Sequence, residues 1–200
     1  MKIIKKIIIV VLVIFLAVFY SNGTWERAIY DTEVDNYTTT DKITNCVQQT
    51  FVCPYNGLNG ISVKLYFEND KAMDKYQWIL SKTSGEIVAE GKLDKSMLEE
   101  KVYKKKQIIR LGFSTQKESK NQEYIFSIKN NDISNKNVMS CYVAPQSKYA
   151  KELMADSNVI EKGMVLKQYI LMFNKETFIV FLGLAIYISL FTKFIYKLFE

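Results

Sequence analysis

Ile61-Ser62-Val63-Lys64-Leu65-Tyr66-Phe67-Glu68 alternates apolar and polar side chains without a break. Successive side chains of a strand point to opposite faces. Ile61, Val63, Leu65 and Phe67 therefore predict a core face, and Ser62, Lys64, Tyr66 and Glu68 a solvent face. That is the pattern of a half-buried antiparallel strand. Asn56-Gly57 and Asn59-Gly60, just before it, read as turns.

The same period continues outward. Residues 47–52 form a candidate strand, and residues 76–81 place Tyr76, Trp78 and Leu80 on one face. Ser84-Gly85 turns the chain into residues 86–90. Residues 107–113 send Ile109, Leu111 and Phe113 inward, and residues 123–129 send Tyr124, Phe126 and Ile128 inward. Residues 138–143 and 164–173 complete the set. Residues 96–100 suggest a short helical turn, and residues 147–160 a short helix or an irregular crossing. Eight or nine short strands spaced by turn signals predict an all-β sandwich.

Both ends differ from this middle. Residues 7–20 and 178–192 are apolar and uncharged. A bilayer core needs about 20 apolar residues as helix, and backbone amides unpaired in lipid leave helix as the only form for a single span. Ile3 and Ile4 lengthen the first run, with Lys5 and Lys6 reaching back to headgroups. The second run passes Lys193 and Lys197 to Phe199. Lys2, Lys5, Lys6, Lys193 and Lys197 put both termini in the cytoplasm by the positive-inside rule. The expected organisation is an N-terminal transmembrane helix (1–22), a polar stalk (23–45), a β-sandwich ectodomain (46–173), and a C-terminal transmembrane helix with a short cytoplasmic tail (174–200). Residues 21–175 are then extracytoplasmic in a two-pass cell-membrane protein. The competing reading of residues 1–20 is a cleaved signal peptide, although Ala17 is followed by Val-Phe-Tyr rather than a small-x-small site. In that case the C-terminal helix still anchors the domain. Gly183, Ala185 and Ser189 offer a small-residue face to a neighbouring helix, one of the chain's own or a partner's.

The formal charge of +6 comes mostly from those terminal lysines, which argues against a nucleic-acid partner. Lys104-Lys105-Lys106 is the one basic run elsewhere and reads as a solvated loop in preference to a phosphate contact. The chain has no histidine, hence neither the usual general base nor the commonest metal ligand. Its carboxylates are scattered over turns and polar faces. A non-enzymatic protein with no cofactor and no metal site is expected. Asn69-Asp70 and Asn130-Asn131-Asp132 are oxygen-rich loops that suit calcium, but turn chemistry explains them equally well.

Cys46 and Cys53 bracket a strand and sit too far apart to bond. Outside the cytoplasm, Cys53–Cys141 is the favoured disulfide over Cys46–Cys141, with three reduced thiols as the alternative. Ring faces stack on the apolar faces of sugars. Tyr66 leads the candidates for such contact, with Tyr55, Tyr103 and Tyr142 behind it. The plainer reading is that these tyrosines cover the outer sheet surface. Trp78 falls with Tyr76 and Leu80 and is assigned to the core.

Four segments together carry a resemblance: Gln48-Gln49-Thr50-Phe51, residues 56–63 (NGLNGISV), Ser84-Gly85-Glu86-Ile87-Val88 and Tyr124-Ile125-Phe126-Ser127-Ile128. They resemble jelly-roll ectodomains of bacterial cell-envelope membrane proteins, many linked to surface polysaccharide synthesis. The richness in Ile, Lys, Asn and Tyr also resembles proteins of AT-rich Gram-positive bacteria. The resemblance covers residues 46–173 and implies a fold similar to carbohydrate-binding modules, with glycan contact. The larger proteins of this kind have many spans and often a glycosyltransferase portion, which this chain lacks. It therefore looks like a stand-alone accessory, binding glycan or scaffolding polysaccharide assembly. The alternative is a protein-interaction subunit that stabilises a multi-span glycosyltransferase or transporter without touching sugar.

Overall fold

The structure is a computed structural model that describes residues 2–33, 37–67, 70–97, 107–132 and 139–199. The strands in chain order are β1 (Asn22–Ala28), β2 (Thr38–Thr39), β3 (Cys46–Val52), β4 (Leu58–Phe67), β5 (Tyr76–Lys82), β6 (Ile87–Lys92), β7 (Gln107–Gln116), β8 (Glu123–Asn130), β9 (Met139–Ala144), β10 (Ala150–Ala155), β11 (Asn158–Ile160), β12 (Gly163–Met164) and β13 (Leu166–Phe173). Helix α1 (Lys2–Ser21) precedes them and α2 (Lys175–Leu198) follows. Two compact units result: Trp25–Ile170, and Met1–Thr24 with Leu171–Glu200.

The larger unit is built from two antiparallel sheets. One has the order β1-β13-β4-β9-β12, with β7 also pairing β4 and β2 pairing β9. The other runs β11-β10-β3-β8-β5-β6. Strand β4 organises the first sheet. Its one edge carries β7, with Val63 opposite Ile109. Its other edge carries β13 (Val63 opposite Leu166) and then β9 (Leu65 opposite Cys141). In the second sheet the inward rows read Phe51–Tyr124, Gln49–Phe126–Leu80 and Val47–Ile128–Trp78. These side chains and Ile61, Val63, Leu65, Ile109 and Leu111 of the first sheet are all buried, as the alternation predicts. Phe67 meets Tyr76 edge-on across the sheets at 5.5 Å. Two fully buried glutamines tie the sheets together. Gln49 Oε1 accepts from the Met164 N–H at 2.8 Å, and Gln168 Nε2 donates to the Val52 carbonyl at 3.1 Å. The Gln49 amide, paired at both ends, fixes register where an apolar side chain would slide.

Several expectations are corrected. Residues 23–45 are not a stalk: β1 and β2 join the first sheet, and Ile29, Tyr30 and Ile43 are buried. The polar composition of this segment masked single apolar anchors, so the compact unit begins at Trp25 rather than at residue 46. Residues 147–160 form the hairpin β10–β11, with Asp156 and Ser157 in the left-handed region at its turn. Asn56-Gly57 does turn, with Gly57 at φ 96°, whereas Asn59-Gly60 lies inside β4. Gly60 serves close packing instead: a Cβ there would meet the Leu111 carbonyl oxygen at 3.0 Å and Tyr169 at 3.5 Å. The expected Cys53–Cys141 disulfide is absent, and all three cysteines are free thiols. Cys141 lies on β9 of the first sheet, while Cys53 follows β3 of the second and donates to the Tyr55 carbonyl.

In the smaller unit, α1 and α2 pack on each other, with Tyr20 stacked on Phe181 at 5.8 Å. Asn174 caps α2 by accepting from the Thr177 N–H. Both helices expose large apolar side chains. Among the described residues α2, with mean hydropathy 2.2, is long and apolar enough to cross a membrane, and α1 carries the shorter apolar stretch Ile7–Ser21.

Candidate functional site

Strand periodicity puts Gly60, Ser62, Lys64 and Tyr66 on the face of β4 opposite the core. The expected solvent face is largely covered: Ser62 is buried and Lys64 is 9% exposed, while Tyr66 remains 49% exposed. The cover comes from the segment misread as a stalk. Tyr30, Ala144 and Val165 form a small second apolar cluster, with Ala28, Tyr37 and Tyr142 packed against it. Backbone bonds fix the segment there, Ile29 N–H to the Leu166 carbonyl and Asp31 N–H to the Pro145 carbonyl.

This cover leaves a pocket of about 150 Å³ whose lining includes Glu26, Tyr30, Tyr37, Lys64, Lys167 and Tyr169. The Lys64 ammonium lies 3.8 Å from the centre of the Tyr142 ring and 5.0 Å from that of Tyr37. Ring faces attract a cation through their quadrupole, which compensates its desolvation. Tyr30 and Tyr37 meet edge to face at 5.6 Å. Burial first, then a hydrogen bond with Tyr37, pushes the Tyr30 phenol far above its ordinary pKa, so it stays neutral. Lys167 pairs with Glu26 at 2.8 Å, and that hydrogen bond raises the lysine's pKa. Arg110, opposite Ser62 on β7, lies over the Tyr169 ring at 4.1 Å. Tyr169 pairs with Gly60 across β4, and its Cβ and Cδ2 occupy the space a Cβ at Gly60 would need.

Of the four tyrosines singled out from sequence, Tyr142 belongs to this cluster. Tyr66 sits on the same face of β4, two residues and roughly 6.6 Å along from Lys64. Tyr55 lies elsewhere, in the turn after β3, with Arg27 over its ring at 5.7 Å. Tyr103 falls outside the described residues, as do Glu68, Asn69, Glu99, Glu100 and the run Lys104–Lys106. Tyr30, Tyr37, Tyr169, Lys64 and Lys167 were missed. Lys167 and Tyr169 alternate on β13 as Ser62 and Lys64 do on β4, which was the available signal. Nothing local marks Tyr37.

In the oxygen-rich loop, Asn130 Oδ1 accepts from the Asp132 N–H and Asp132 faces Lys75 at 3.6 Å, which is turn chemistry. Among the described residues no group of three or more His, Cys, Asp or Glu is placed to hold a metal ion. Among the described residues the pocket's lining thus includes phenol rings, the Lys64 and Lys167 ammonium groups, the Glu26 carboxylate and the Ser62 hydroxyl, a set suited to holding a polar ligand with apolar faces. Compared with known proteins, the chain matches no family model and no curated relative.

Proposed function

We propose that this is a non-enzymatic accessory protein held in the membrane by α1 and α2, with both termini cytoplasmic and the jelly-roll-like β unit outside. The outer face of β4 binds a glycan in cell-envelope polysaccharide assembly. The observation that supports this is the pocket lined by Tyr37, Tyr169, Lys64 and Lys167, with Tyr142 beside it against the Lys64 ammonium. Rings for the apolar faces of a sugar, beside donors and acceptors for its hydroxyls, are what such a ligand requires. Tyr66 extends the surface for a longer chain. Anchoring raises the effective concentration of the site near membrane-bound glycan.

The test is a screen of the full-length protein in detergent against bacterial envelope polysaccharides. Binding weakened about tenfold by Tyr169→Ala and less by Tyr66→Ala supports the reading, and no binding to any glycan refutes it. The alternative, a subunit that stabilises a multi-span glycosyltransferase or transporter, draws on the apolar groove between α1 and α2 lined by Val13, Leu16, Phe181, Leu184 and Ala185. Crosslinking from Leu184 in membranes tests it.

A further inference from the structure

We infer that the helix pair binds anionic phospholipid at the end that carries Lys2, Lys5, Lys6, Lys193 and Lys197, with the headgroup phosphate against these lysines; this rests on membrane anchoring by α1 and α2 and not on the glycan. The two helices run antiparallel. The Asn174 N–H donates to the Ser21 carbonyl at 2.8 Å. Tyr20 stacks on Phe181, and Val13 and Leu16 share a groove with Leu184 and Ile188. The contact thus steps back along α1 as it climbs α2. Lys2 precedes Ser21 by 19 residues, and Lys193 follows Asn174 by 19. At 1.5 Å per residue both lie roughly 28 Å from the joined ends. A bilayer core is about 30 Å thick, so two lysine groups far apart in sequence meet at one headgroup layer.

The excess charge at that end does not depend on how any one lysine is paired. Within this unit, residues 1–24 contain no Asp or Glu, and residues 171–200 contain Glu176 and Glu200. Glu176 lies in the first turn of α2, at the opposite end. Five lysines therefore face one carboxylate, and clustered lysines beside a membrane span attract anionic headgroups. Lys193 and Lys197 are exposed and, four residues apart, share a helix face. The apolar part of a lipid is matched as well. In the same turns of α2 lies a hollow of about 360 Å³ whose lining includes Phe191, Ile195, Tyr196 and Phe199. It takes an acyl chain, and the exposed Tyr196 brings an amphipathic ring to the headgroup level. A free phosphate would match the charge and leave the hollow unused. A zwitterionic lipid would match the hollow and leave the charge unmet.

The test is native mass spectrometry of the full-length protein from detergent, titrated with phosphatidylglycerol and with phosphatidylcholine of the same chains. The first phosphatidylglycerol should bind about fivefold or more tightly than the first phosphatidylcholine, with the margin shrinking as salt rises. The double variant Lys193→Gln, Lys197→Gln should cut that ratio about threefold or more. Lys197→Gln alone carries the result if the double variant does not fold. Lys175→Gln, at the other end of α2, should leave the ratio unchanged, and inorganic phosphate should not displace the lipid. Equal binding of the two lipids overturns the inference and leaves the anchoring standing. So does a loss with Lys175→Gln as large as with the double variant, or displacement of the lipid by inorganic phosphate. Alkaline carbonate extraction tests the anchoring separately: a protein stripped from membranes by carbonate refutes the anchoring and this inference with it.

Discussion

Asp156 joins two parts of the chain about a hundred residues apart, and its removal should be felt through the whole β unit. Its carboxylate accepts from the backbone N–H groups of Thr44 (2.7 Å), Asn45 (2.8 Å) and Cys46 (2.9 Å), and from the Thr44 hydroxyl (2.8 Å). It thereby locks the entry to β3 onto the β10–β11 turn. A hydrogen bond to a charged group contributes about 1.5–3 kcal/mol. Asp156 is half-buried, so water replaces part of what is lost. The net cost of Asp156→Ala is then about 2–3 kcal/mol, including the strain of alanine at φ 45°. Asp156→Asn tolerates that backbone and keeps one acceptor, so it should cost about 1 kcal/mol. Desolvation pushes the carboxyl's pKa up, but the three N–H donors and the hydroxyl outweigh it and hold the pKa below the usual value. The folded pKa is thus lower than the unfolded one. The stabilisation is complete above about pH 4 and fades as pH falls through the folded pKa. Urea unfolding of the full-length protein in detergent, followed by the buried Trp78, reads this directly. The Asp156→Asn deficit should be full at pH 6 and shrink toward pH 3. Two variants both within about 0.5 kcal/mol of wild type at pH 6 would refute the reasoning.

Other positions give independent tests. Gly60→Ala sets a methyl 3.0 Å from the Leu111 carbonyl oxygen, which is backbone and cannot step aside. It should cost about 1–3 kcal/mol in the same urea assay and displace Tyr169, lowering glycan binding as well. Tyr124 is buried with an unpaired hydroxyl and stacks on Phe51, and burial pushes its pKa up to about 12. Tyr124→Phe removes a donor that gains nothing, so stability should hold or rise by about 1 kcal/mol; a loss above that amount would reveal a partner. With all three cysteines free, mass spectrometry after alkylation in denaturant without reductant should show three labels. One label would restore the disulfide. In the folded protein Cys46 should react first, since burial pushes Cys141 up to about 11.

The inner half of the β unit was legible because alternation reports burial on one face. Tyr76, Trp78, Leu80, Tyr124, Phe126 and Ile128 are all in the core where period two puts them. The outer half was not legible, because alternation says which side a residue takes but not what lies over it. Lys64 reads as solvent-facing until Tyr37 and Tyr142 close on it. The cover is long-range: Tyr37 reaches it through β2, pairing with β9 a hundred residues on. Residues 23–45 escaped for the related reason that the adjacent Ile29 and Tyr30 and the distant Ile43 follow no strand or helix period. Asn59-Gly60 shows the reverse failure, a turn dipeptide whose glycine is needed for space rather than for a positive φ.

The most direct test of the central claim is tyrosine-ring NMR of the full-length protein in detergent, titrated with the tightest glycan from the screen. Tyr37, Tyr142 and Tyr169 line or border the pocket and should shift together, with Tyr66 following for longer chains, while Tyr124 in the core stays fixed. Saturating shifts confined to that set place the sugar on the outer face of β4. Glycan binding that leaves all three rings unmoved would contradict the account.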